Sequence, residues 1–411
     1  MKLDYSLLKD IEKTQGGSFY LLDTEQFTQN FHELLNAFRS IYPNTYIAYS
    51  YKTNYIPRLC KLVDTLGGYA EIVSDMEYEI TRRLGIPTNK VHFNGPYKNA
   101  TIAKEIILGG GIVNLDDYIE VPLVLQLAEE NPDKVIKIGL RCNFNVNDGV
   151  TSRFGFDVAK DSFRNLIATL TAKGNISIAG IQCHFATRAI ETWQPRAEGI
   201  SKIAKEYLTD IPSHIDLGGG MFGKMKESLK EQFSSRIPTY EEYAQQAAGF
   251  INSYFKDSSK QPDLFIEPGS ALVGDAMRFV APVVSIKDIR GKAIATLLGS
   301  VYNINPTLNK KNPPITVFTE DTNKQSTYQD LDFGGYTCIE GDYLYKGYNG
   351  PLSIGDLVMF ENVGSYSLVL KPPFILPNFP VVELCKGEVR VVKRKETFDD
   401  LFQTYEFQFS E

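Results

Sequence analysis

Short apolar runs alternate with longer amphipathic segments from about Ser18 to Glu267. Ser18 to Leu22 reads as a strand. Phe27 to Ile41 places Phe27, Phe31, Leu34, Leu35, Phe38 and Ile41 at helical spacing. Tyr46 to Tyr51 reads as a strand, and Ile56 to Leu66 as a helix. Further strands are expected at Ala70–Val73, Val91–Asn94, Gly111–Val113, Val135–Arg141, Ile178–His184, His214–Leu217 and Leu264–Glu267. Helices are expected between them, as at Thr101–Leu108, Tyr118–Glu130 and Asp161–Ala172. Strand–helix alternation of this kind implies parallel strands with helices packed outside. About eight such units over about 250 residues is the size of a (β/α)₈ barrel of the TIM type.

The rhythm changes after Glu267. Val280–Ile286, Ala293–Leu298, Ile315–Phe318, Leu357–Phe360 and Val389–Val392 are short β-rich runs separated by Gly, Pro and Asn. They predict a second, mostly β domain. Residues 18–270 are assigned to the barrel, and residues 271–411 together with 1–17 to the β-rich domain. The polar stretch 309–327 reads as a mobile loop.

A chain of 411 residues exceeds what one hydrophobic core usually serves, in keeping with two domains. The net charge of −7 and the lack of a long Lys/Arg run argue against nucleic acid as a partner. The five cysteines are widely spaced and contain no C-x-x-C. That pattern speaks against a disulfide framework or a zinc site, so no metal is expected. With no signal-peptide-like start and no apolar run of membrane length, a soluble cytoplasmic protein is expected, away from membranes.

Six features carry candidate chemistry. Lys52 lies in Tyr49-Ser50-Tyr51-Lys52-Thr53-Asn54, at the carboxyl end of a strand, where barrel enzymes place their catalytic groups. An enclosed lysine there is a usable nucleophile toward an aldehyde, although a surface lysine after a strand gives the same letters. Gly218, Gly219 and Gly220 follow the strand His214–Leu217. They suit an anion cradle or simply a tight turn. Glu267 closes a buried strand before Pro268-Gly269-Ser270 and requires a charged or hydrogen-bonding partner, whether a protonated pyridine nitrogen or an Arg or Lys. His184 follows Cys183 at a strand end, a place more often held by a hydrogen-bonded core residue. Cys338 lies in the Gly-rich, acidic stretch Gly334 to Asp342, as inert packing or as a reactive thiol. Gly355-Asp356 and Gly364-Ser365-Tyr366 mark a turn and a strand.

In this order and spacing, the motifs resemble those of the fold-type III pyridoxal-phosphate decarboxylases, which include the diaminopimelate, ornithine and arginine decarboxylases. The resemblance covers Lys52, Ser74 to Glu77, Ser152-Arg153-Phe154-Gly155, Cys183-His184, Gly218 to Gly220, Glu267-Pro268-Gly269, Cys338, Asp342 and Gly364-Ser365-Tyr366. It implies an alanine racemase-like fold and the cofactor pyridoxal 5′-phosphate, held by Lys52 as a Schiff base. It further implies that His184 stacks on the cofactor ring and that Glu267 pairs with the pyridinium nitrogen. Gly218, Gly219, Gly220, Gly269, Ser270 and Tyr366 would surround the phosphate. In such families the β-rich domain of one subunit completes the site of its partner. A homodimer with shared sites is therefore expected, with Cys338 protonating the substrate α-carbon. The expected reaction is decarboxylation of an amino acid. An amino-acid racemase and a non-catalytic homologue are the alternatives, but Glu267 and Cys338 favour the decarboxylase.

The sequence departs from the resemblance where substrate is chosen. Relatives usually follow Glu-Pro-Gly with Arg, and here the residue is Ser270. They usually follow the cysteine with Asp or Glu, and here it is Ile339, with Glu340 one residue on. Leu370-Lys371-Pro372-Pro373-Phe374 replaces an Asn- and Arg-containing stretch. Phe185-Ala186-Thr187-Arg188 replaces a Gly-Ser pair. A substrate with a modified, neutral or acidic distal end is expected, derivatised or tethered to a carrier. Arg153, Arg188 and Lys371 would supply cationic contacts, with Ile339, Glu340 and Asp342 beside the substrate.

Overall fold

The structure, a computed structural model, describes residues 3–320, 326–385 and 388–409. The chain divides into two compact units. One comprises Thr28–Phe222 and Ser235–Leu272, and the other Met1–Phe27, Gly223–Ser234 and Val273–Glu411.

In chain order, β1 spans Phe19–Leu22, β2 Thr45–Ser50, β3 Tyr69–Ile72, β4 Val91–Phe93, β5 Ile112–Leu115, β6 Ile136–Asn143, β7 Phe156–Asp157, β8 Ile176–Gln182, β9 His214–Asp216 and β10 Asp263–Ile266. The first unit is a closed parallel barrel of eight strands, in the order β2, β3, β4, β5, β6, β8, β9, β10. The pairing of Leu264 with Thr45 closes the ring, and the two-residue β7 adds to β6. Helices at Pro57–Thr65, Asp75–Arg83, Ala100–Leu108, Val121–Glu130, Asp161–Thr171, Trp193–Glu206 and Tyr240–Phe255 join the strands. Several starts are fixed by side chains that accept orphan backbone N–H groups: Ser74 from Glu77, Asn99 from Thr101 and Ile102, and Thr239 from Glu242. Strands are short and buried on both faces, as parallel sheets covered by helices require. This is the (β/α)₈ architecture read from the alternation.

The second unit is built on β1 and on eight later strands: β11 Met277–Ile289, β12 Lys292–Leu297, β13 Ile315–Phe318, β14 Ser326–Gly334, β15 Tyr343–Leu352, β16 Leu357–Phe360, β17 Val381–Cys385 and β18 Glu388–Lys393. The main path runs β15, β14, β12, β11, β1, β17, β18, while β13 pairs with β16 and β16 with β11. Leu8 and Ile11 of the helix Tyr5–Gln15 pack on Phe19, Leu21, Val280, Leu357, Met359 and Val382. Among the described residues, no helix is long and apolar enough to cross a membrane.

The structure moves the first strand out of the barrel. Phe19–Leu22 pairs antiparallel with Met277–Val280 and parallel with Val381–Glu383, so it is central to the β-rich unit. The expected boundary before residue 18 therefore falls after Phe27, and residues 223–234 also join the β-rich unit. All four residues of β1 are buried, and a continuous apolar run looks the same in a barrel and in a sandwiched sheet. Within 309–327, read as a mobile loop, Ile315–Phe318 is a strand and Ser326 opens β14, while residues 321–325 lie outside the described residues.

Phe19 is fully buried in the β-rich core, whereas Ile354 is 64% exposed. Phe19→Ala is expected to destabilise the unit by about 3–5 kcal/mol in denaturant unfolding. Ile354→Ala is expected to stay within about 0.5 kcal/mol of wild type.

Candidate active site

The carboxyl ends of the barrel strands bring a chain of polar side chains together. β2 runs into a single turn, Tyr51–Thr53, whose Tyr51 and Thr53 are buried while Lys52 is part-exposed. Lys52 Nζ lies 2.5 Å from Oε2 of Glu71, on the neighbouring β3. The Ser50 hydroxyl donates to the same oxygen. Glu71 has no exposed surface. Its second oxygen accepts from Asn94 Nδ2 at 3.4 Å, and Asn94 also donates to Glu267. Asn114 orients Asn94 by donating to its Oδ1 at 2.6 Å. Gln182, at the end of β8, donates toward both oxygens of Glu267 at 3.4 Å. Lys52 and Glu267 are thus the ends of one hydrogen-bonded line through Glu71 and Asn94.

Burial raises the pKa of Glu267 well above the usual carboxylate range, and the neighbouring Asp216 and Glu71 raise it further, while Lys52 opposes them. Glu267 follows β10 and Asp216 ends β9, so the closed barrel forces these acids close. Gly218 and Gly220 adopt φ of 68° and 88°, in the region that favours glycine. A Cβ at Gly219 would meet the Glu267 carbonyl at 2.4 Å, so the turn passes against that backbone. Likewise, a Cβ on Gly269 would collide with Thr53.

The three glycines do not present three equivalent donors. The Gly218 N–H donates to Asp216 Oδ1 at 2.8 Å, and the Gly219 N–H to His184 Nδ1 at 3.0 Å. Among the described residues, only the Gly220 N–H of the three has no partner. Burial, together with the positive charges of Lys52, Arg141 and Arg196, holds the His184 pKa well below its usual value. The ring is therefore neutral, and because Nδ1 accepts, its proton sits on Nε2.

Arg196, from the helix Trp193–Glu206, is wholly buried. Its guanidinium donates to the carbonyls of Gly219 at 2.7 Å, Phe185 at 3.2 Å and Thr187 at 2.5 Å, and lies over the Trp193 ring. Burial lowers its pKa to about 10. It clamps the loop after His184 to the glycine turn. Arg188, in that loop, reaches Ser270 Oγ at 3.5 Å. Arg153 is exposed and lies over Phe154, a ring it shares with Arg141, which pairs with Asp116.

Lys52, His184, Gly218 to Gly220, Glu267, Gly269, Ser270 and Arg188 thus gather at one end of the barrel. The remaining candidates lie in the β-rich unit. Cys338, Ile339 and Glu340 are exposed in the turn between β14 and β15. Asp342 is withdrawn from the expected substrate contacts, because its buried carboxylate accepts from Ser300, Val301 and Thr337. Lys371 is also buried and donates to Asn378 at 2.7 Å, and burial lowers its pKa to about 8. Tyr366 has a φ of 63°. A cavity of about 300 Å³ in this unit is lined by Tyr302, Tyr336, Ile339, Lys371 and Phe374, among others.

Sequence reading missed Glu71, Asn94, Asn114, Gln182 and Arg196. Only their polar character in or just after otherwise apolar strands marks the first four. Nothing in its helix marks Arg196. Among the described residues, no cluster of His, Cys, Asp and Glu could hold a metal ion.

Residues 28–274 match the family described as "Pyridoxal-dependent decarboxylase, pyridoxal binding domain". Diaminopimelate decarboxylase of Aquifex aeolicus is 24% identical, over 95% of this chain and 92% of that protein. The enzyme of the same name from Methanocaldococcus jannaschii is 23% identical, over 94% of this chain and 90% of that protein. The crystal structure of diaminopimelate decarboxylase from M. jannaschii with L-lysine superposes with a TM-score of 0.85 at 21% identity, covering 97% of this chain and 94% of that one.

Because Glu267 holds its proton in the fold, its contribution to stability is complete below its unfolded pKa of about 4.3 and declines as pH rises toward the raised value. Urea unfolding of ligand-free wild type should lose stability relative to Glu267→Gln as pH rises from about 5 toward that raised value. The loss should be at most about 1.4 kcal/mol per pH unit.

Proposed function

The chain belongs to the pyridoxal-dependent decarboxylases, whose cofactor is pyridoxal 5′-phosphate, and from that premise we propose that it removes the α-carboxylate of an amino acid or amino-acid derivative as carbon dioxide. The line from Lys52 through Glu71 and Asn94 to Glu267 is the observation that carries the proposal. It sets a nucleophilic amine and a buried acid in one network, as an aldehyde on a basic ring requires.

The residues present fit that cofactor. The turn at Gly218 to Gly220 is a cradle that side chains would fill, and the Gly220 N–H and Ser270 hydroxyl suit phosphate oxygens. Arg188, reaching Ser270, returns a guanidinium to a position where Ser replaces the Arg of relatives. Bound there, pyridoxal phosphate supplies an electron sink for the pair released at the α-carbon when carbon dioxide departs. Lys52 holds the cofactor covalently, and Glu71 is placed to accept a proton from its amine. Neutral His184 would pack against the cofactor ring without adding a positive charge. Glu267 supplies the carboxylate for the ring nitrogen. Cys338, brought by a second copy of the chain, delivers the proton that replaces carbon dioxide.

The substrate's distal end is neutral or acidic rather than an ammonium. Ile339 offers no charge next to Cys338, and the cavity it lines is walled largely by Tyr, Phe and Pro side chains. The hydroxyls of Ser300 and Thr337 in that wall are engaged by Asp342.

Lys52→Ala should lose the borohydride-fixed cofactor adduct and at least about a thousandfold of carbon dioxide release. Cys338→Ala should stay folded and cofactor-loaded, and turn over about a hundredfold or more slower. Mixing the two inactive variants should restore roughly a quarter of wild-type activity if sites are shared across a twofold dimer. Carbon dioxide release from a panel of amino acids and their acyl derivatives identifies the substrate. Rapid turnover of meso-diaminopimelate or ornithine would refute the neutral or acidic end. Inversion at the α-carbon without carbon dioxide would refute decarboxylation.

A further inference from the structure

Beneath Glu267, the barrel interior holds a buried pair that the proposed chemistry leaves unused. His92 on β4 and Asp216 on β9 have no exposed side-chain surface, and His92 Nδ1 lies 3.5 Å from Asp216 Oδ2. Neither atom has a hydrogen-bond partner among the described residues. A buried donor and a buried acceptor left unmade are costly, and these two face each other at slightly more than bonding distance. Asp216 Oδ1 is held by the Gly218 N–H, so Oδ2 is the oxygen left to be satisfied. The His92 ring is fixed by aromatic contacts with Tyr69 and Phe265, at 5.5 and 4.4 Å between centroids, which leave it little freedom to turn away.

Asp216 is also the carboxylate next to Glu267. Asp216 raises the pKa of Glu267, and the donors that each carboxyl group meets help decide where the Glu267 proton rests. The other titratable groups around the pair are Tyr69, whose phenol burial pushes up, Lys52 and Glu71 next to Glu267, Cys183 after β8 and His214 on β9. Lys52 and Glu71 pair with each other, burial pushes the Cys183 thiol up to about 12, and burial pushes the His214 pKa down to about 3. His92 is left as the group that can donate to Asp216.

We propose that His92 is a positioning residue: by donating from Nδ1 to Asp216 Oδ2 it places the shared proton on Glu267, from which the ring nitrogen of the cofactor takes it. In that transfer the Oε–H bond of Glu267 breaks and an N–H bond forms on the ring. Asp216 and Glu267 are then both anions, one satisfied by His92 and the other by the pyridinium. Wild-type protein therefore takes up no solvent proton for the ring when it binds pyridoxal phosphate. The inference rests on Glu267 being the partner of the ring nitrogen.

The test is the dissociation constant of pyridoxal phosphate for initially cofactor-free protein, read between about pH 6 and about pH 9 together with the absorbance of the bound cofactor. In His92→Phe the second anion has no donor, so binding must draw a proton from solvent. Its dissociation constant should rise relative to wild type as pH increases, approaching about tenfold per pH unit. His92→Phe/Asp216→Asn removes the competing carboxylate and should follow the wild-type pH dependence again. If His92→Phe does not fold, the comparison of Asp216→Asn with the double variant still decides, because His92 should make no difference without the Asp216 charge. Parallel wild-type and His92→Phe curves, or a pH-independent loss that Asp216→Asn does not rescue, would overturn the proposal. Glu267→Gln separates the two ideas. If it binds and titrates like wild type, the assignment of Glu267 to the ring nitrogen falls as well. If it alone changes, only the role of His92 falls.

Discussion

The barrel end depends on holding three buried carboxyl groups, Glu71, Asp216 and Glu267, with Lys52 paired to the first of them. Isolated buried carboxylates are among the most costly groups a fold can contain. Here the cost is met in pieces. Lys52 and Ser50 satisfy Glu71, amides from Asn94 and Gln182 satisfy Glu267, and the Gly218 N–H takes one oxygen of Asp216. The arrangement requires closure of the sheet. These side chains come from β2, β3, β8 and β9 and from the residues just after β2, β4 and β10, and only a ring of inward-facing positions brings them to one place. A charge deficit in a folded site is a standing preference for a cationic ligand. In the proposed reading, a pyridine ring that takes up the Glu267 proton would answer it.

The second constraint is positional. Arg196 is buried without a carboxylate and instead gathers three carbonyls from two loops. A guanidinium used this way fixes backbone rather than charge, since its planar fork can satisfy several acceptors at once. The glycine turn is thereby held with the Gly219 N–H on His184, which sets the tautomer of that ring. Turn, histidine and clamp act as one piece. The turn accordingly offers fewer free donors than three adjacent glycines suggest: two of those N–H groups serve the fold, and among the described residues only that of Gly220 has no partner.

These facts explain what could be read in the chain and what could not. The barrel was legible because its strands and helices differ in period, and Lys52, His184 and Glu267 because they stand at strand ends in a recognisable order. Glu71, Asn94, Asn114 and Gln182 were not, since one polar residue inside a short apolar strand looks like noise until closure turns it inward. The strand Phe19–Leu22 was placed in the wrong unit because burial on both faces is common to a barrel and to the centre of another sheet. β14 was missed for the opposite reason. Much of Ser326–Gly334 is exposed and polar, so its alternation carries little hydrophobic signal.

The same reasoning separates the groups proposed to meet the cofactor from those proposed to choose the substrate. The groups that would meet the cofactor are tied to each other by buried hydrogen bonds, so none can change without stranding a partner. Ser270 and Ile339 are under no such tie. Ser270 meets Arg188 through one long contact, and Ile339 is 40% exposed at the tip of a turn whose shape is set by Asp342, not by its own side chain. Side chains held this loosely can be replaced at small cost to the fold. In the proposed reading, substrate preference can therefore change at these two positions while the carboxylate network stays as it is.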